Sequence, residues 1–135
     1  MGLAVKDTQL KVTKALPNGA TNVTSDAIDL GHGSRGDFLA LAEVKISAPE
    51  LVVGDLANTE TMKYDLIHSD NSDLSSPSTL ITAAITQTGA SSSGAIAATF
   101  TGRLSVDVKR YIGVKATNSG AGDASDKSLT LELLL

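Results

Sequence analysis

Two histidines, His32 and His68, are the chain's whole supply of imidazole, and no cysteine accompanies them. A zinc site draws three or four His, Cys or carboxylate ligands from spacings that a turn or helix can bring together. Neither histidine has such a neighbour, and each reads as a structural or solvated residue near a turn or strand end. Ser34 lies in Gly31-His32-Gly33-Ser34-Arg35-Gly36-Asp37. A serine nucleophile there would need the sharp Gly-x-Ser-x-Gly elbow, and Gly33-Ser34-Arg35-Gly36 is one residue too short. Arg35-Gly36-Asp37 in the same loop is a tripeptide that some adhesion ligands present, but three residues recur by chance; glycines that permit positive φ and an Asp that starts a turn account for it. Asp70, Asn71 and Asp73, and again Asp123 and Asp126, offer the hard oxygens calcium takes, yet no glycine and closing glutamate follow in EF-hand register. Solvated turns are the expectation. With no glycine-rich phosphate cradle and no carboxylate pair beside an activating base, the chain is expected not to be an enzyme. No catalytic, cofactor-binding or metal-ligating residue is assigned, and no cofactor is expected.

Composition narrows the classes further. The chain has 135 residues, of which 41% are hydrophobic, 19% charged and 3% aromatic, with no tryptophan. That balance lies in the globular range, and the length suits one core filled by Leu, Ile, Val and Ala. The formal net charge is −4, and apart from Lys109 and Arg110 the basic residues are scattered, so no stripe follows a phosphate backbone. Nucleic acid is not an expected partner. No segment approaches the roughly 20 apolar residues that span a bilayer, so no membrane partner is expected either. Met1 to Leu10 carries Lys6 and Asp7 in place of a signal-peptide apolar run, which leads to the expectation of a soluble protein made inside the cell. Lys6 stands where a myristoylation signal needs Ser or Thr.

The elements that must position these groups read as strands. Apolar and polar residues alternate in about eight short runs separated by Gly, Asn, Asp, Ser and Pro. The runs are Gln9 to Leu16, Ala27 to Leu30, Phe38 to Ser47, Thr61 to His68, Leu80 to Gln87, Ala95 to Leu104, Arg110 to Thr117 and Lys127 to Leu135. In the third, Phe38, Ala40, Ala42, Val44 and Ile46 share one face; in the last, Leu129, Leu131, Leu133 and Leu135 do. Gly36 to Ile46 also contains good helix formers, which leaves a helix as the competing reading there. Leu51 to Thr59 reads as a connection, and Thr88 to Gly94 as a flexible hairpin tip. The predicted fold is all-β, a single-domain jelly roll or β-sandwich of about eight antiparallel strands, with residues 1–8 as an N-terminal arm and 9–135 as the jelly-roll domain.

Some apolar residues have no place in a one-sided sheet. Leu39 and Leu41 lie opposite the Phe38 face, so they meet a second layer or a partner. Leu3 and Val5 in the arm suit docking as well. These four, Leu3, Val5, Leu39 and Leu41, are the candidate interface residues.

Val5-Lys6-Asp7 through Ala20, Asp29-Leu30-Gly31 to Phe38, His68-Ser69-Asp70 and Asp107-Val108-Lys109-Arg110-Tyr111-Ile112-Gly113-Val114-Lys115-Ala116-Thr117-Asn118 together resemble the small capsid cement, or decoration, proteins of tailed bacteriophages, in the group named after the Bordetella phage cement protein. The resemblance spans nearly the whole chain. It implies a jelly-roll homotrimer on the outer surface of the virion capsid, made in a bacterial cytoplasm, with the major capsid protein of a phage head as partner. The alternative is a carbohydrate- or receptor-binding β-sandwich module, for which two Tyr and two Phe leave little aromatic surface for sugar stacking.

Overall fold

A computed structural model describes residues 11–31, 43–105 and 107–134. Nine strands run through them: β1 (Lys11–Ala15), β2 (Asn22–Thr24), β3 (Ile28–Asp29), β4 (Glu43–Ala48), β5 (Thr61–Ser69), β6 (Ser78–Thr88), β7 (Ala98–Arg103), β8 (Tyr111–Asn118) and β9 (Ser128–Leu134). Every pairing between them is antiparallel, and the described residues include no helix. The expected period-2 pattern is what places them. Val44 and Ile46, Leu129, Leu131 and Leu133, and Met62, Tyr64 and Leu66 are all buried on one face of their strands. Of the Gly36 to Ile46 stretch, Glu43 onward is strand; the segment holding Leu39 and Leu41 lies outside the described residues, as does the arm with Leu3 and Val5.

The strands form two sheets, ordered β1-β9-β4-β7 and β2-β8-β5-β6, with β3 also on β8. β2 and β3 act as one interrupted strand. Asn22–Thr24 pairs with Lys115–Thr117, and Ile28–Asp29 pairs with Tyr111–Ile112. Ser25 bridges the break: its N–H donates to Val114 O at 2.9 Å, and its Oγ accepts from Val114 N at 3.0 Å. A side-chain oxygen thus replaces the carbonyl that the break removes. Counted so, the eight strands follow the jelly-roll order, with the first, eighth, third and sixth in one sheet and the second, seventh, fourth and fifth in the other.

Between the sheets sits one continuous core, with Val44, Ile46, Leu129, Leu131 and Leu133 facing Met62, Tyr64, Leu66, Ile112, Val114 and Ala116. Its edges are blunted. On edge strand β1, Lys14 stands opposite buried Leu129, a charge on the inward side that discourages a further strand. On edge strand β6 the pairing with β5 slips at Tyr64–Leu66 and Leu66–Ile67. There Ala83 takes φ 52°, and its N–H donates to Asp65 Oδ1 at 2.7 Å, so a carboxylate fixes the bulge.

The connections gather at two ends. Among the described residues, 16–21, 49–60, 89–97 and 119–127 form one, hereafter the apolar end; 70–77, 104–105 and 107–110 belong to the other, hereafter the polar end.

Candidate interaction surface

Three large apolar side chains are exposed among the described residues, and all belong to the apolar end: Val52 at 53%, Val53 at 45% and Ile96 at 82%. They come together because two connections are stitched to each other. Leu51 N donates to Ala95 O at 2.8 Å and Ala95 N returns the bond to Leu51 O at 2.7 Å, so Val52 and Ile96 leave adjacent points. Gly94, at φ +65°, lies so close that a Cβ there would collide with the carbonyl oxygen of Leu51. The segment expected to be a flexible tip is therefore packed backbone to backbone, since glycine removes the bulk that would hold the chains apart.

Two polar groups fix the pose from beneath. Gln87 is buried; its amide donates to Pro49 O at 2.8 Å and to Ile96 O at 2.9 Å, and its Oε1 accepts from the buried Tyr64 hydroxyl at 2.7 Å. Burial pushes the Tyr64 phenol well above its ordinary pKa, so it stays a donor. The buried carboxylate of Asp55 accepts from Val52 N at 3.1 Å and from Lys127 Nζ at 2.7 Å. With the Val52–Val53 backbone clamped, both side chains point outward. Beside Ile96 runs a groove of about 440 Å³ lined by Thr86, Thr88, Ala90, Ser93, Ala97 and Ala98 among others.

The polar end is held differently. His68 is the penultimate residue of β5; its ring is buried, and Nδ1 accepts from Lys109 N at 3.1 Å, which puts the proton of the neutral ring on Nε2. Burial and then the Lys109 ammonium hold its pKa below the ordinary imidazole value, against the opposing pull of Asp107 and Asp70. Arg110 grips Asp29 with two bonds, Nε–Oδ1 at 2.8 Å and Nη2–Oδ2 at 2.9 Å, and lies 5.0 Å over the Tyr111 ring. The 70–77 loop folds onto the outside of its sheet, where buried Leu74, at φ 58°, packs over Gly113.

The sequence candidates for chemistry fall apart in space. Asp70 reaches Lys109 at 3.9 Å, whereas Asp73 Oδ1 accepts from Ser75 N at 3.0 Å. Asp123 Oδ1 accepts from Ser125 N and Oγ, a self-contained turn. Among the described residues no three His or carboxylate side chains gather as a metal site would need. His32, Ser34 and Arg35-Gly36-Asp37 lie outside the described residues. No described aromatic is exposed: Tyr64 is buried, and Phe100 and Tyr111 are half-buried. The sequence pattern does not single out the apolar trio, because Val52 and Val53 fall in the Leu51 to Thr59 connection and Ile96 in the alternating run Ala95 to Leu104. Leu51-Val52-Val53 carried the signal, for three successive apolar residues cannot all face inward.

No protein-family model matches the chain, and no curated protein does. Among solved structures it is similar to a protein of the cowpea mosaic virus empty virus-like particle, at 10% identity and a TM-score of 0.48 over 93% of this chain and 78% of that one. A chain of the naturally occurring empty particles of the same virus aligns at 8% identity, TM-score 0.45, over 93% and 80%. The sugar-binding C-terminal domain of EclA aligns at 8% identity, TM-score 0.35, over 99% and 81%. Likeness at these levels says nothing of what the chain binds.

Proposed function

We propose that this chain is a non-catalytic capsid cement protein that binds the outside of an expanded icosahedral phage head as a homotrimer bridging capsomers. The observation that carries the reading is the apolar end, where every exposed large hydrophobic side chain of the described residues stands on a clamped scaffold. Water-exposed apolar groups on a rigid frame mark a contact surface. The sequence resemblance to cement proteins of tailed phages supports the choice of partner, the major capsid protein, and of location on the outer capsid surface. Among the described residues the aromatics are buried or half-buried, which counts against sugar stacking and favours this reading over a glycan-binding module.

The physics suits the task. DNA packed in a head presses outward, and a protein that binds only the closed shell adds its binding free energy to the cost of opening. A trimer multiplies weak single contacts through effective concentration. If its site exists only after expansion, differential affinity also opposes reversal. Purified protein added to expanded heads that lack it should raise their rupture temperature, and light scattering should give the mass of a trimer. An unchanged rupture temperature at saturating occupancy would overturn the proposal.

A further inference from the structure

The four connections of the apolar end hold Glu50, Asp55, Glu60, Asp123 and Asp126 against a single cation, Lys127. That cation is already committed, since Lys127 Nζ lies 2.7 Å from Asp55 Oδ2. Glu50 and Asp126 are exposed and close enough to Lys127 to add to its field, and through Asp55 the same cluster touches Val52 N at 3.1 Å. Asp123 is exposed in the neighbouring turn, and Glu60 Oε2 accepts from Ser119 Oγ at 2.8 Å. The exposed apolar side chains therefore share this end with an excess of negative charge, with Asp55 on the Val52 N–H and Glu50 and Asp126 near its partner Lys127. The polar end carries the chain's mixed signs instead, with Lys109 against Asp70 and Arg110 against Asp29.

We infer that the apolar end docks onto a different polypeptide whose surface is apolar at the centre and basic at the rim, and that it does not pair with its own counterpart on a second copy. A two-fold contact through this end would bring two surfaces of the same negative sign together. Like charges desolvated face to face disfavour that arrangement and select a cationic rim. Under the cement reading, on which the naming of the partner rests, the shell protein supplies that rim, and subunits of the trimer meet through another face.

The test titrates fluorescently labelled protein onto expanded heads that lack it, comparing wild type with Ile96→Glu and with the double variant Glu50→Lys, Asp126→Lys. Thermal melts confirm that both variants fold, since all three positions are exposed. Each variant should bind at least about tenfold more weakly, wild-type binding should weaken as salt rises from about 0.05 to about 0.5 M, and the solution mass of each variant should equal that of wild type. Saturable, salt-insensitive wild-type binding that neither variant impairs overturns the inference and leaves the cement reading standing. A drop in solution mass for Ile96→Glu also overturns it, by making this end a self-interface. Wild type that binds no head removes the cement reading and, with it, the inferred partner.

Discussion

At the apolar end, backbone meets backbone: Leu51 and Ala95 exchange two hydrogen bonds, Gly94 nests against the Leu51 carbonyl, and Gln87 ties Pro49 to Ile96 from below. At the polar end, side chains do the holding: the His68 ring takes the Lys109 N–H, Arg110 grips Asp29, and Leu74 covers Gly113. Backbone contacts are stiff, and they leave side chains free to face outward. Side-chain latches give way more easily, and one of them titrates. The same sandwich thus presents a rigid, sticky, strongly acidic surface at one extremity and an adjustable one of mixed charge at the other.

The sharpest way to break this contrast is to add one methyl group at each end. At Gly94 a Cβ has no way out, because the obstructing atoms are backbone and φ is +65°. Gly94→Ala should lose about 3 kcal/mol, combining left-handed strain with overpacking. At Gly113 the obstruction is chiefly the end of the Leu74 side chain, which can swing, so Gly113→Ala should lose about 1 kcal/mol. Urea unfolding of the two variants measures the difference. Equal losses would mean that the two ends are equally stiff.

Much of this architecture was legible, and the parts that were not share a cause. Leu129, Leu131 and Leu133, and likewise Val44 and Ile46, announce their strands because burial on one face imposes period 2 on the sequence. The order of strands left no such trace, for pairing partners lie far apart in the chain. β2 went unseen because three residues, with only Val23 apolar, make no periodic run, and Ser25 completes its pairing through a side-chain bond. Gly and Ser in Thr88 to Gly94 suggested looseness, yet Gly94 is there to let two backbones touch; composition alone does not separate freedom from close approach. Leu74 was hidden in a polar loop whose one apolar residue turns back onto the sheet. Of the candidate site, Leu3, Val5, Leu39 and Leu41 lie outside the described residues. The trio Val52, Val53 and Ile96 emerged only once the Leu51–Ala95 bridge brought two connections together.

Acid should sharpen the contrast, because the polar end has the buried imidazole. The folded-state pKa of His68 lies below the ordinary 6.5, so the unfolded chain takes up a proton before the folded one does. Its contribution to stability is then complete above pH 6.5 and is lost as pH falls through the lower folded value. Protonated Nδ1 also ceases to accept from Lys109 N. His68→Asn offers an uncharged acceptor in its place, so its stability relative to wild type should rise as pH falls below 6.5. At pH 8, where the ring is neutral, His68→Ala should cost about 2 kcal/mol by orphaning the Lys109 N–H and emptying the site. Protection of the Lys109 amide in hydrogen exchange should fall with pH in wild type and hold steady in His68→Asn. A flat wild-type profile would show that the latch does not depend on His68.

The smallest effect is expected at the most exposed residue. Ile96 is 82% accessible, and only its backbone oxygen is engaged, by Gln87 Nε2 at 2.9 Å. Ile96→Ser removes apolar surface that already faces water, so unfolding free energy should change by less than about 0.5 kcal/mol. A surface kept for folding would behave otherwise, since truncating a packed Ile or Leu costs about 2–5 kcal/mol. Chemical denaturation of Ile96→Ser beside Ile46→Ala, whose side chain is fully buried in the core, sets the two cases against each other. A large loss at Ile96 would mean that its side chain packs in the isolated chain, and the apolar end would then be part of the core and no longer a contact surface.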